Sequence, residues 1–203
     1  MSPRRAERSD EELLAHAVRV VRRHGPRVTL ARIAADLGLS SARLIQRFGS
    51  RGRLLSAVEE RADRRMLASI MAGLDETADP LGALVDRLAT VAERNAKRLY
   101  LLSNSYLYDP GHAVTPAGVR EARRRIEMFV DRFAAVLDRA AAAGQLVPTV
   151  DRRALARALN VTWVGSYNAW AYAPTGSLRL AVTRDLEFLL QPYRAPSRKK
   201  RSR

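Results

Sequence analysis

Between two short helical patterns stands Gly38, and two residues later Ser40 offers a fresh helix start. The stretch from Thr29 to Phe48, TLARIAADLGLSSARLIQRF, places Leu30, Ile33, Ala34 and Leu37 at helical spacing before the glycine, with Leu44 and Phe48, four apart, after it. Glycine takes up left-handed backbone without steric cost and so stops a helix. A serine hydroxyl then accepts from the free amides of the next first turn. Two helices of barely two turns joined so tightly must change direction sharply, and neither can bury its apolar stripe unaided. A brace precedes them. Ser9 and Glu12 have the spacing of a capping box, and Leu13, Leu14, Ala17, Val18 and Val21 form one stripe that ends at His24, Gly25 and Pro26.

The rest of the chain reads as helix throughout, because no segment alternates apolar and polar residues over a strand length better than it fits a period of 3.6. Ser50 caps a fourth helix running to about Gly73. Asp79 and Pro80 open a fifth, with Leu81, Leu84, Leu88 and Val91, expected to end near Arg98. A short helix from Tyr100 to Tyr108 is predicted next, broken by Asp109, Pro110 and Gly111. Thr115 and Pro116 begin a long helix to Gly144, and helices over Asp151 to Tyr172 and Leu178 to Leu190 follow, the last capped by Ser177. The expectation is an all-α chain of about nine helices. A three-helix N-terminal domain over 1–55 joins a larger helical domain over 56–193, and a basic tail over 194–203, with no apolar residue in SRKKRSR to bury, is expected to be disordered.

Charge narrows the partners. The net charge is +15, and residues 1–65 hold 15 arginines against 8 acids while residues 66–193 hold 15 basic against 13 acidic residues. The excess is therefore concentrated at the two ends, which points to a polyanionic partner for the N-terminal domain. A GC-rich genome also favours arginine, and 33 of the 36 basic residues are arginine, so composition alone explains any single surface arginine but not the cluster from Arg43 to Arg53. With no cysteine, thiolate zinc sites, disulfides and cysteine nucleophiles are excluded. His16, His24 and His112 are scattered, so no metal is expected. Ser103 and Ser105 lack a patterned base, and Glu59 and Glu60 read as a solvent face, so neither catalysis nor a cofactor is expected. No apolar h-region follows MSPRRAERSDEE and no apolar run approaches a membrane span, so a cytoplasmic protein without a membrane partner is expected.

Such a short helix pair has the dimensions of a helix-turn-helix unit, whose second helix enters the major groove of double-stranded DNA. Leu44 and Phe48, with Ile45 beside them, are then expected to pack inward. Ser41, Ala42, Arg43, Gln46 and Arg47 are left outside. Arginine and glutamine suit bidentate contacts to guanine and adenine edges, which makes Arg43 and Gln46 the specificity candidates, and Ala42 can touch a thymine methyl. Ser50 and Arg51 open the next helix, where backbone amides favour a phosphate. The expected DNA-contact set is Thr29, Ser40, Ser41, Ala42, Arg43, Gln46, Arg47, Ser50 and Arg51.

Residues 10–58 resemble the DNA-binding domain of the tetracycline-repressor (TetR) family of transcriptional regulators. The family pattern maps onto Ile33-Ala34, Gly38-Leu39-Ser40, Leu44 to Phe48, Ser50-Arg51 and Leu54. Ile45 stands where the family usually has tyrosine, Arg47 where it commonly has histidine and Arg51 where it has lysine; Arg47 and Arg51 can keep the phosphate contacts of those positions. The resemblance implies a homodimer on a palindromic operator, most simply a repressor released by a small-molecule effector. A sequence-tolerant DNA-coating protein without a ligand is the other reading.

In NVTWVGSYNAWAYAP, Trp163, Tyr167 and Trp170 share one helix face, which suits a core, a dimer interface or the wall of a ligand cavity. TetR-like proteins dimerise through their last two long helices and bind ligand in the same domain. The resemblance thus implies an interface of Leu155, Leu159, Leu178, Val182, Leu186 and Leu189, and a ligand site of Tyr106, Met128, Trp163 and Tyr167.

Overall fold

The computed structural model describes residues 9–24, 28–103 and 114–196. Among these the chain forms eight α-helices: α1 (Asp10–His24), α2 (Leu30–Leu37), α3 (Ser41–Phe48), α4 (Arg51–Met71), α5 (Pro80–Ser103), α6 (Pro116–Ala142), α7 (Arg152–Tyr172) and α8 (Leu178–Leu190). The only β pairing among the described residues is an isolated bridge between Leu146 and Arg194. The chain divides into two compact units, residues Met1–Arg65 with Leu101–Arg125, and Met66–Tyr100 with Ile126–Arg203.

In the first unit α1, α2, α3 and the start of α4 close over one core: Leu13, Ala17, Val18, Val21, Ile33, Leu37, Leu44, Leu54, Leu55 and Val58 are all buried. Each of these helices begins on a hydroxyl. The Glu12 amide donates to the Ser9 hydroxyl at 3.2 Å while the Ser9 amide donates to the Glu12 carboxylate at 2.8 Å, the reciprocal pair of a capping box. Thr29, Ser40 and Ser50 accept from the amides of Arg32, Arg43 and Arg53 at 3.1 to 3.2 Å.

The second unit packs parts of α5 and α6 with α7 and α8 around a larger core. Its largest fully buried side chains include Trp163, Phe133, Ile70, Leu84 and Leu88. Asp79 caps α5 by accepting from the Gly82 amide at 2.9 Å, and Gln145 spans to the same place, its amide nitrogen 2.6 Å from Asp79 and its oxygen accepting from the Leu81 amide at 3.2 Å.

Two sequence expectations change. The break near Arg98 is absent, because nothing between Arg98 and Ser103 stops a helix, and α5 runs on unbroken to Ser103; residues 104–108 of the expected short helix lie outside the described residues. Arg194 and Ala195, placed at the head of the basic tail, are seated. Arg194 pairs with Glu187 at 2.7 Å, and the Ala195 amide donates to the Gln145 carbonyl at 2.9 Å.

Candidate nucleic-acid interface

The turn between α2 and α3 is a Schellman motif. Gly38 sits at φ 68° and ψ 32°, its amide donates to the Ala35 carbonyl at 3.0 Å, and the Leu39 amide reaches back to the Ala34 carbonyl at 2.9 Å. Ser40 then takes extended backbone (φ −83°, ψ 154°) and caps α3. Only three residues separate the helices, so the glycine and the cap together set the angle at which α3 leaves α2.

One residue anchors α3. Leu44 is wholly buried and Phe48 is half-buried against the same core. Ala42, Arg43 and Gln46 are exposed, Ser41 is half-exposed, and they share the outer side of the helix. Ile45 is a correction: expected beside Leu44 in the core, it is 37% exposed and belongs to the outer surface. At 100° per residue it lies between the anchor and the outward Gln46, and a two-turn helix over so small a core has room for one inward row only.

The remaining contact candidates are tied into the unit. Thr29, Ser40 and Ser50 carry the caps described above. The Arg51 guanidinium donates to the Val28 carbonyl at 3.2 Å, which secures the start of α4 beside the start of α2. Arg47 lies 2.6 Å from Asp10 in the first turn of α1, with its side chain 23% exposed. Glu11, next to Asp10, pairs with Arg61 of α4.

A half-buried charge cluster sits elsewhere in this unit. The Arg125 guanidinium lies 2.8 Å from Glu59 and 3.5 Å from Asp63, and donates to the Ser56 hydroxyl at 3.2 Å. Burial pushes the Glu59 carboxyl up to about 7 and that of Asp63 up to about 6, against the opposing pull of Arg125. Glu59 is thus an inward residue and not part of a solvent face; Glu60, which pairs with Arg64 at 2.7 Å, takes that place. The sequence signal was present in the four-residue step from Glu59 to Asp63, but their partner is 62 residues or more away in the chain.

In the second unit Trp163 is buried in the core, its indole N–H donating to the Leu88 carbonyl at 3.1 Å. Tyr167 meets it edge-on at 5.7 Å, Phe129 is tilted to it at 6.0 Å, and Met128 and Tyr167 are half-buried against the same core. Tyr106 lies outside the described residues.

The interface expected on the last two helices needs correction. Leu155, Leu159, Leu178, Val182 and Leu186 are all buried in this chain's own core and have no surface to offer a second copy. The opposite sides of α7 and α8 carry a second apolar set: Val161, Leu180 and Phe188 are 64%, 71% and 79% exposed. Between them runs an open groove of about 880 Å³ lined by Val161, Gly165, Ala169, Phe188, Leu189 and Pro192 among others, so half-buried Leu189 alone of the expected set reaches this face.

Among the described residues no group of three or more histidine and acidic side chains could hold a metal, and no helix is long and apolar enough to cross a membrane. A helical chain whose first unit presents one short exposed helix beyond a glycine turn defines a helix-turn-helix fold, and comparison with known proteins narrows it. No family model matches the chain. Over 98 residues it is 34% identical to the nucleoid occlusion factor SlmA of Idiomarina loihiensis, a match covering 47% of this chain and half the length of that protein. The SmeT–triclosan complex superposes with a TM-score of 0.71 at 22% identity, covering 92% of each chain. A TetR transcription regulator from Haloarcula marismortui gives 0.69 at 22% identity, covering 91% of this chain and 97% of that one. The fold is that of the TetR regulators, as residues 10–58 implied.

Proposed function

We propose that the chain is a TetR-type, DNA-binding transcriptional regulator and not an enzyme: a homodimer that represses from a palindromic operator and is released by a small-molecule effector. The observation that carries this reading is α3 itself, with one buried anchor, Leu44, and an outer side of Ala42, Arg43, Ile45 and Gln46. Arg43 reads guanine, Gln46 reads adenine, and Ala42 and Ile45 offer apolar surface to thymine methyls. Thr29, Ser40, Ser41, Ser50 and Arg51 position the head on phosphates.

The exposed apolar sides of α7 and α8 supply the dimer contact in this reading. Two-fold symmetry then sets the two α3 helices about 34–36 Å apart, or a multiple of it, on successive major grooves. In this reading the effector site lies by Met128, Trp163 and Tyr167 of the second unit. Support for a ligand-released repressor comes from SmeT, which is described both with triclosan and as the repressor of a multidrug efflux pump. α4 contributes Leu54, Leu55 and Val58 to one core and Leu67 and Ile70 to the other. An effector acts through it if it favours the arrangement that does not fit the operator, on a coupling scale of about 1–3 kcal/mol.

The test is a fluorescence-anisotropy titration against duplexes tiling the chain's own upstream region and a scrambled control, at two salt concentrations, with an Arg43→Ala/Gln46→Ala variant alongside. Tight binding to one tile with selectivity lost in the variant is expected. If genome-wide site selection as well as the tiles yields no preferred sequence, the regulator reading gives way to DNA coating.

A further inference from the structure

We infer that Arg47 is not a phosphate contact in this chain: Asp10 holds it as a tether, and the acid thereby limits the affinity of the head for any duplex. The inference rests on the DNA-binding reading of the first unit and departs from the phosphate role that the sequence assigned to Arg47.

The geometry is one of a built contact. The capping box of Ser9 and Glu12 fixes the first turn of α1, so Asp10 and Glu11 project from a held backbone. They reach two different helices, Asp10 to Arg47 in the last turn of α3 and Glu11 to Arg61 of α4. Arg47 is largely covered, at 2.6 Å from its partner, while Asp10 remains mostly exposed. Both carboxylates also sit at a helix N-terminus, where the partial positive charge of the free amides favours them. For Arg47 to reach a phosphate it must leave a 2.6 Å ion pair and leave Asp10 unpaired next to a polyanion. The bond also ties the end of α3 to α1. The duplex is therefore engaged by the outer residues of α3 while Arg47 stays on Asp10.

The two arms of the contact predict opposite results from those of a phosphate-binding arginine. The measurement is the salt dependence of affinity, for the tightest-binding duplex and a scrambled one, with four full-length proteins: wild type, Asp10→Asn, Arg47→Gln and the double variant, each checked for helical circular dichroism and a cooperative melt. Asp10→Asn is expected to remove the ion pair that draws Arg47 to α1 and raise affinity several-fold on both duplexes alike, steepening the log–log salt slope by about 0.9. Arg47→Gln alone should leave the slope near wild type, with only a modest and uniform loss of affinity from the unpaired Asp10, and Asp10→Asn should no longer steepen the slope in the Arg47→Gln background. The inference is overturned if Arg47→Gln weakens binding and flattens the slope by that amount. It is equally overturned if Asp10→Asn leaves the slope unchanged in the wild-type background, or changes it by the same amount in both backgrounds, which is the behaviour of a long-range charge. Wild-type protein that binds no duplex would instead remove the DNA-binding reading, and this inference with it.

Discussion

α3 and α8 are both amphipathic, yet they relate to their surroundings in opposite ways. α3 has one inward row, buried Leu44 with half-buried Phe48, and apart from Ile45 its other residues are polar or small, so its apolar row is its core row. α8 has a strict four-residue core row, Leu178, Val182, Leu186 and Leu190, and a second apolar pair outside it, Leu180 and Phe188. A helix with one apolar side declares what it packs on. A helix with two declares that it packs on two things, and its pattern does not say which side meets which. The resemblance implies a partner for Leu178, Val182 and Leu186, and these are residues the chain uses for its own core. A fold secures its own core first, since burying a leucine within the chain does not depend on protein concentration.

The largest effects test that division directly. Leu186→Ala should lower the unfolding free energy by about 2–5 kcal/mol, as truncation of a closely packed core leucine does, read as a shifted denaturation midpoint. Leu44→Ala should do the same to the first unit. Phe188→Ala, at an exposed site, should change the stability of the monomer by no more than about 0.5 kcal/mol. Equal losses at positions 186 and 188 would mean that α8 has no second side of its own.

Association is the next test. Phe188→Glu places a charge in the exposed apolar set and should weaken the proposed dimer by about 2 kcal/mol or more, a rise of roughly thirtyfold in its dissociation constant by sedimentation. The monomer should keep its helical spectrum. A dimer unchanged by this substitution would move the interface elsewhere and leave the groove beside Gly165 and Ala169 without its expected occupant.

How much of this was legible follows from the range of the interactions. Local devices were: Ser9 with Glu12, Thr29, Ser40, Ser50 and Gly38 act within one turn of themselves, and each does in the structure what its spacing implied. Position along a helix was legible too, because Leu44 and Phe48 repeat at the helical period. What could not be read was anything decided by a distant partner. Ile45 lies outside because the core beneath α3 is narrow, Arg47 is held by a residue 37 positions earlier, and Glu59 is covered through Arg125. Hydrophobicity separates a buried side from a wet one; it does not separate a core from an interface.

Glu59 and Asp63 give the first unit its own counter-case to α3, a polar pair that faces inward. Both carboxyls have folded pKa values above their ordinary ones, about 7 against 4.5 and about 6 against 3.8, so the folded state holds protons that the unfolded chain has released. Their contribution to stability is full below about pH 4 and is lost as the pH rises through 6 and 7. The chain should therefore gain stability from these groups on going from pH 8 to pH 5.5, against the loss expected from protonating ordinary paired carboxylates. Glu59→Gln should flatten this pH dependence. Thermal melts at the two pH values, wild type beside variant, decide it; a variant less stable at pH 8 would show that Glu59 is needed there as an anion.

The smallest effects come from two glycines, one for each side of the comparison. An added methyl would meet nothing within 4 Å at Gly38 or at Gly165, so space does not distinguish them. Backbone does. Gly38 is held at φ 68° by the two hydrogen bonds that end α2, a conformation costing an L-residue about 1 kcal/mol, whereas Gly165 lies within α7, where alanine is the better helix former by a similar amount. Gly38→Ala should destabilise the chain by about 1 kcal/mol. Because the strain sits in the turn that aims α3, it should also weaken the preference for one duplex over a scrambled one. Gly165→Ala should stabilise the isolated chain by up to about 1 kcal/mol while the new methyl, standing in the groove beside Ala169 and Phe188, weakens self-association. Opposite signs in stability and association at Gly165, measured on the same protein, are what an exposed helix side reserved for a second copy requires; matching signs would return that side of α7 to solvent.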